Sequence, residues 1–300
     1  ALPASDQPAP LIEQLLSLNF GTLSVRRTRL EIAFDKDRRV TFTDVAAEIA
    51  TLRKNTCRAT GTATFNGQPI RFEATWSTPP DPRSATTQGL PLKLTVRGPH
   101  LDASFEGRLV TGDNPKLLGN ADFRSRRLRA LARWFGLPVP MAGDLRDASI
   151  VSPFEWSDGQ LVFSRATISV DGNKGDGALT LKTRAPRPSI EGTLGYPVFD
   201  LRPQLAAQMS PVKADPTLPD VDGSLPKAFD ADLRLSAVKV VAPNVEAGRG
   251  AVTLTLTNGR MLADLAELEI EGGTLRGQLT LDVNAEPARF SMKSRITEVD

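Results

Sequence analysis

Asp35 and Asp37 form the arrangement in this 300-residue chain nearest to a two-carboxylate hydrolytic site. Lys36, Arg38 and Arg39 stand beside them, and the run reads as a charged turn. The loop Asp171-Gly172-Asn173-Lys174-Gly175-Asp176-Gly177 spaces oxygen ligands as a calcium loop does. It lacks the closing bidentate Glu and sets Lys174 among the would-be ligands, so it reads as a hairpin turn. His100, the sole histidine, follows Gly98-Pro99 and reads as a solvated turn residue; no Ser-His-Asp or Cys-His set can be assembled with it. Cys57, the sole cysteine, reads as a small half-buried side chain and excludes an intramolecular disulfide. One cysteine and one histidine also exclude the usual zinc spacings. The expectation is a protein without covalent chemistry, metal or cofactor.

A second group carries charge. Arg124, Arg126, Arg127, Arg129 and Arg133 cluster around Leu128, Leu131, Trp134 and Phe135. On a short helix, Arg126, Arg127, Arg129 and Arg133 are candidates to meet anionic lipid headgroups. The plainer reading is a solvated face over a sheet end. Elsewhere charge is balanced: 37 basic against 35 acidic side chains leave +2, which gives no global field for nucleic acid. Aromatics are 6%, with Tyr196 the single tyrosine, so base-stacking platforms are scarce.

The elements that must position these residues are strands. Ala59, Gly61, Ala63 and Phe65 alternate with Thr60, Thr62 and Thr64; Asn66-Gly67 is a hairpin signal; Ile70, Phe72, Ala74 and Trp76 return on one face. The pattern recurs at Leu92-Leu94-Val96, Phe105-Leu109, Ala166-Ile168-Val170, Leu179-Leu181, Val252-Leu254-Leu256, Leu275-Leu279-Leu281 and Phe290-Met292-Ile296. Period-two patterning makes a sheet with one apolar and one polar face. A weak repeat sets a Gly about ten residues before a Pro: Gly61 with Pro69, Gly107 with Pro115, Gly177 with Pro188, Gly277 with Pro287.

Helical signals are few. Ser125 is placed to cap a short helix with Leu128, Leu131, Ala132 and Phe135 on its apolar side, stopped by Gly136 and Pro138. Asp200 is placed to cap a turn carrying Leu201 and Leu205, and a third helix is expected around Pro10–Leu16. No run of about 18 apolar residues is present to span a membrane as a helix. The opening residues have no basic or apolar signal region, and the finish at Arg295–Asp300 reads as a cut through a longer chain, so any anchoring segment is expected outside this one. The expected organisation is a β segment over 1–78 with a leading helix, a linker over 79–91, a central β segment over 92–209, a Pro-rich loop over 210–227, and a closing β segment over 228–300.

Three segments together resemble the AsmA family of bacterial envelope proteins. The first is Phe105-Glu106-Gly107-Arg108-Leu109, continuing through Leu117–Phe123 to the Arg126–Gly136 helix; the second is Gly177–Leu181 with Pro188–Leu194 and Phe199-Asp200-Leu201. The third runs from Asp230–Ala237 through Leu256–Arg260 to Glu271–Leu279. The resemblance covers roughly 90–300 and, more weakly, 20–78. It implies a Gram-negative periplasmic protein tethered to the inner membrane by an N-terminal helix, with an elongated, curved, mostly antiparallel half-pipe and an apolar groove serving outer-membrane biogenesis and phospholipid movement.

On bare physics an apolar sheet face is buried as core, since large exposed apolar patches are rare. The resemblance reverses that preference and makes the face a groove for phospholipid or another acyl lipid. Candidate lining residues are Leu94, Val96, Phe105, Leu179, Leu181, Leu254, Leu256, Leu279 and Leu281. Each buried methylene of a lipid tail gains about 0.8 kcal/mol, so a tail binds without a specific polar contact. Two rival readings are a structural module aiding outer-membrane protein assembly through envelope partners, and a carbohydrate-active solenoid. The latter needs paired carboxylates on a concave face, and no pattern places them.

Overall fold

A computed structural model describes residues 21–35, 38–52, 55–77, 88–112, 114–135, 147–183, 187–203 and 229–297, with side chains of 32–39 set aside. The protein is mainly β, as the alternation predicts. Its contacts divide it into two units, Ala1–Pro99 with Ser104–Pro115, and His100–Ala103 with Lys116–Asp300. This division does not follow the expected segment boundaries. The expected linker over 79–91 also ends early, because Leu90 and Pro91 open a strand and Leu90 is 1% exposed.

The first unit holds β1 (Thr22–Asp35), β2 (Arg38–Thr51), β3 (Thr56–Phe65), β4 (Gln68–Ser77), β5 (Leu90–Arg97) and most of β6 (Asp102–Val110). Each of β1 to β4 pairs antiparallel with the next. The second unit holds β7 (Lys116–Ser125), β8 (Ala148–Ser157), β9 (Gln160–Val170), β10 (Asn173–Lys182), β11 (Ser189–Asp200), β12 (Asp230–Ala242), β13 (Val245–Ala247), β14 (Gly250–Thr257), β15 (Arg260–Ile270), β16 (Gly273–Asp282) and β17 (Arg289–Thr297). Pairing is antiparallel from β7 to β11 and from β12 to β17, with β14 reaching past the short β13 to join β12. Between them β11 and β12 run parallel, from Ser189 opposite Asp230 to Asp200 opposite Val241.

The tight hairpins follow from their turn residues. Asn66-Gly67, Asp158-Gly159, Asp171-Gly172, Asn258-Gly259 and Glu271-Gly272 all take positive φ at both positions, as a type I′ turn requires. The 171–177 loop is therefore the hairpin the sequence analysis expected. The prolines of the repeat stand at strand starts: Pro115 and Pro188 one residue before β7 and β11, Pro287 two before β17, and Pro69 second in β4. Three of the four glycines adjoin register shifts. Gly61 pairs next to the bulge between Thr43 and Ala46, Gly177 adjoins the β9 shift, and Gly277 faces the shift between Leu265 and Leu268. A bulge bends its strand and brings neighbouring backbone close. A Cβ on Gly61 would stand on the Ala46 carbonyl, and one on Gly177 on the Thr193 carbonyl.

One helix, α1 (Leu128–Trp134), is present among the described residues. Ser125 does not cap it. Ser125 ends β7, and its Oγ accepts the backbone N–H of Arg127 itself at 3.2 Å and none within the helix; Arg127 is the cap residue and offers no side-chain bond. Trp134, not Phe135, is the buried aromatic, at 7% exposure against 45%. Asp200 does act as expected: its carboxylate accepts the Arg202 N–H at 2.9 Å where a turn begins. The proposed helix at Pro10–Leu16, Leu205, and Gly136 with Pro138 lie outside the described residues, as does Asp37 and the side chain of Asp35.

Candidate functional site

Register decides which side chains share a face. In the second unit, Leu181 of β10 stands opposite Ile190, which is aligned with Ala231, then Leu256, Met261, Leu281 and Phe290 in successive strands. The next row on that face runs Leu179, Gly192, Leu233, Leu254, Ala263, Leu279 and Met292. Six of the nine lining candidates, Leu179, Leu181, Leu254, Leu256, Leu279 and Leu281, therefore fall into two adjacent rows. The intervening row runs Thr180, Glu191, Asp232, Thr255, Leu262, Thr280 and Ser291 and faces the other way.

The remaining candidates belong to the first unit. Leu94 stands opposite Ala74, Ala59 and Ile49, and Val96 opposite Phe72, Gly61 and Ala47. Phe105 lies in β6 beside β5 and is 8% exposed.

The exposure of these side chains matters. Leu256 is buried, at 7%, whereas Leu94, Val96, Leu179, Leu181, Leu254, Leu279 and Leu281 are only half-buried. Apolar side chains under a second layer would be nearly fully enclosed. Toward β17 the face opens further, with Phe290, Met292 and Ile296 exposed.

The arginine candidates separate. Arg126, Arg127 and Arg133 are exposed, while Arg129 is half-buried. Arg124 is exposed and pairs with Asp122 at 2.7 Å. His100 is not a solvated turn residue. It is half-buried, its ring meets Trp134 edge-on at 6.5 Å, and its Nδ1 is buried with no hydrogen-bond partner among the described residues. Cys57 is buried rather than half-buried, at 5%, with Thr51 Oγ1 4.0 Å from its sulfur. Among the described residues no three His, Cys, Asp or Glu side chains gather around a cation position. No helix there is long and apolar enough to cross a membrane, which leaves strand-built membrane structures unaddressed.

Exposed ion pairs join side chains along the strands, each of small net stability. The Arg202 guanidinium holds the Asp200 carboxyl below its ordinary value, Lys239 does so for Glu246, and the Asn284 backbone N–H leads for Asp282, with Arg260 assisting. Carboxylates with lowered values add stability above their ordinary range, near pH 4, and lose it as pH falls through the lowered values. Melting temperature should therefore fall on acidification below about pH 4, more steeply at low salt. Asp282→Asn should flatten part of that acid limb; an identical limb in the variant would remove Asp282 from the account.

Sequence reasoning missed two features. Asn173 sits inside the loop weighed for calcium, yet it bonds both backbone groups of Asp200. Arg26, Arg71 and Arg97 line one cleft of the first unit although 71 positions separate the outer two in sequence. No protein-family model, curated protein or solved structure matches the chain.

Proposed function

We propose that this chain is an AsmA-like factor of the Gram-negative periplasm that binds or moves phospholipid along an apolar sheet face, with a membrane tether outside this segment and no covalent chemistry. The observation carrying this reading is the alignment of Leu181, Leu256 and Leu281 in one apolar row in which only Ala231 and Leu256 are buried. From β10 to β17 that row crosses six strand gaps, roughly 29 Å at ~4.8 Å each. One leaflet of a bilayer holds an acyl chain in roughly 15 Å, so the row has room for a tail laid across it. At about 0.8 kcal/mol per methylene, burial alone binds such a tail. Arg126, Arg127 and Arg133 are the exposed cations suited to headgroups.

The test is mass spectrometry of lipid co-purifying with the chain. Phospholipid should accompany the native protein, and Leu181→Asp with Leu281→Asp should remove most of it while the circular dichroism of the sheet persists. Lipid-free native protein, or equal lipid on the double variant, would count decisively against the reading. The second reading is a structural role in outer-membrane protein assembly that carries no lipid. That role predicts a partner-dependent phenotype unaffected by the Leu→Asp changes.

A further inference from the structure

The first unit contains a cleft of about 550 Å³ lined from β1 through β5. Its cross-strand order is informative. Ala46, Thr62, Arg71 and Arg97 form one row, and Arg26 follows Val25, which stands opposite Ala47. In that row the small side chains of Ala46 and Thr62 lie on β2 and β3, and two long cationic ones stand side by side on β4 and β5. Arg71 and Arg97 are directly opposite each other, a like-charge placement that destabilises a sheet unless an anion lies between them. None of Arg26, Arg71 and Arg97 forms an ion pair among the described residues.

Two carboxylates also line the cleft, Glu48 and Glu73, in the neighbouring row with Thr60 and Thr95. Glu73 is engaged by Arg58 at 2.8 Å. That leaves Glu48 against three guanidinium groups, with hydroxyls of Thr60, Thr62 and Thr95 beside them. Guanidinium groups bind oxyanions bidentately, and phosphate offers matching geometry.

We propose that this cleft is an oxyanion site that takes a phosphate group, whether free or carried on a lipid headgroup. The proposal is independent of the apolar faces and of the lipid reading built on them.

The full chain should be titrated calorimetrically with inorganic phosphate, and separately with phosphatidylcholine vesicles containing phosphatidic acid. Arg71→Gln with Arg97→Gln should weaken binding about tenfold or more, since each lost charge-assisted bond is large on the affinity scale. These side chains are exposed, so the double variant should keep the native circular dichroism. Glu48→Gln removes the opposing charge and should tighten binding severalfold, a gain that general damage to the fold cannot produce. Heat from inorganic phosphate assigns the site to a soluble phosphate. Retention on vesicles alone, lost in the arginine double variant, assigns it to a headgroup. No binding in either arm, or binding indifferent to both variants, overturns the proposal.

Discussion

Gly177→Ala is expected to destabilise the protein by about 3 kcal/mol, near the upper range for an added methyl in a packed position. The reason is backbone, not conformational preference: Gly177 has no unusual φ, but its added Cβ would stand on the Thr193 carbonyl, with the Leu194 Cα at 3.0 Å. Neither neighbour can rotate away, because both belong to β11 and are locked in the ladder with β10. The strands must separate locally. In a ladder where each strand touches mainly its neighbours, that damage should stay local. Amide exchange should accelerate in β10 and β11 and remain unchanged in β3 and β4. Gly172→Ala is the control: its φ of +87° makes alanine strained, yet nothing lies within 4 Å of the new Cβ. It should cost about 1 kcal/mol. Equal losses at the two positions would show that chain flexibility, not the Thr193 contact, requires glycine at 177.

Much of this ladder was legible because a strand writes its two faces into alternate residues. Leu279 and Leu281 announce their own face, and Asn66-Gly67 fixes how β4 returns on β3. What one strand cannot state is its alignment with a distant one. Leu181 and Leu281 share a row only through four intervening strands and the parallel step from β11 to β12, and bulges between β14 and β15 and between β15 and β16 break the register farther along. Each bulge shifts register by an amount no periodicity records. The Gly–Pro spacing was visible in the sequence, but its meaning as close backbone approach needed the neighbouring strand. The helix shows the opposite limit. Over the seven residues of α1, a small error in frame exchanges inward and outward positions, which is how Phe135 took the place of Trp134. The arginine cleft was hidden for a simpler reason: Arg26, Arg71 and Arg97 meet through tertiary pairing, and each alone is an ordinary polar-face residue.

Asn173→Ala is expected to cost about 2–4 kcal/mol, as two hydrogen bonds are lost and their partners are left unsatisfied. The side chain is 5% exposed, its Nδ2 donates to the Asp200 carbonyl at 3.0 Å, and its Oδ1 accepts the Asp200 N–H at 2.6 Å. Such a side chain imitates a strand, supplying one donor and one acceptor to another residue's backbone. It is needed there because the pairing of β10 with β11 stops at Asp176 opposite Gly195. Pro197 follows, with no N–H to extend a ladder. Beyond that break β11 still pairs with β12 as far as Asp200. Asn173 therefore closes the β10 side of a strand end that would otherwise be held from one side. Removing it should leave the β11–β12 pairing in place and raise exchange selectively at Phe199 and Asp200. Asn173→Asp keeps the acceptor for the Asp200 N–H but sets a second oxygen against the Asp200 carbonyl. It should recover part of the loss at most. An alanine variant within about 0.5 kcal/mol of native would mean that water replaces both bonds, and that β11 needs nothing beyond its pairing with β12 to hold its end.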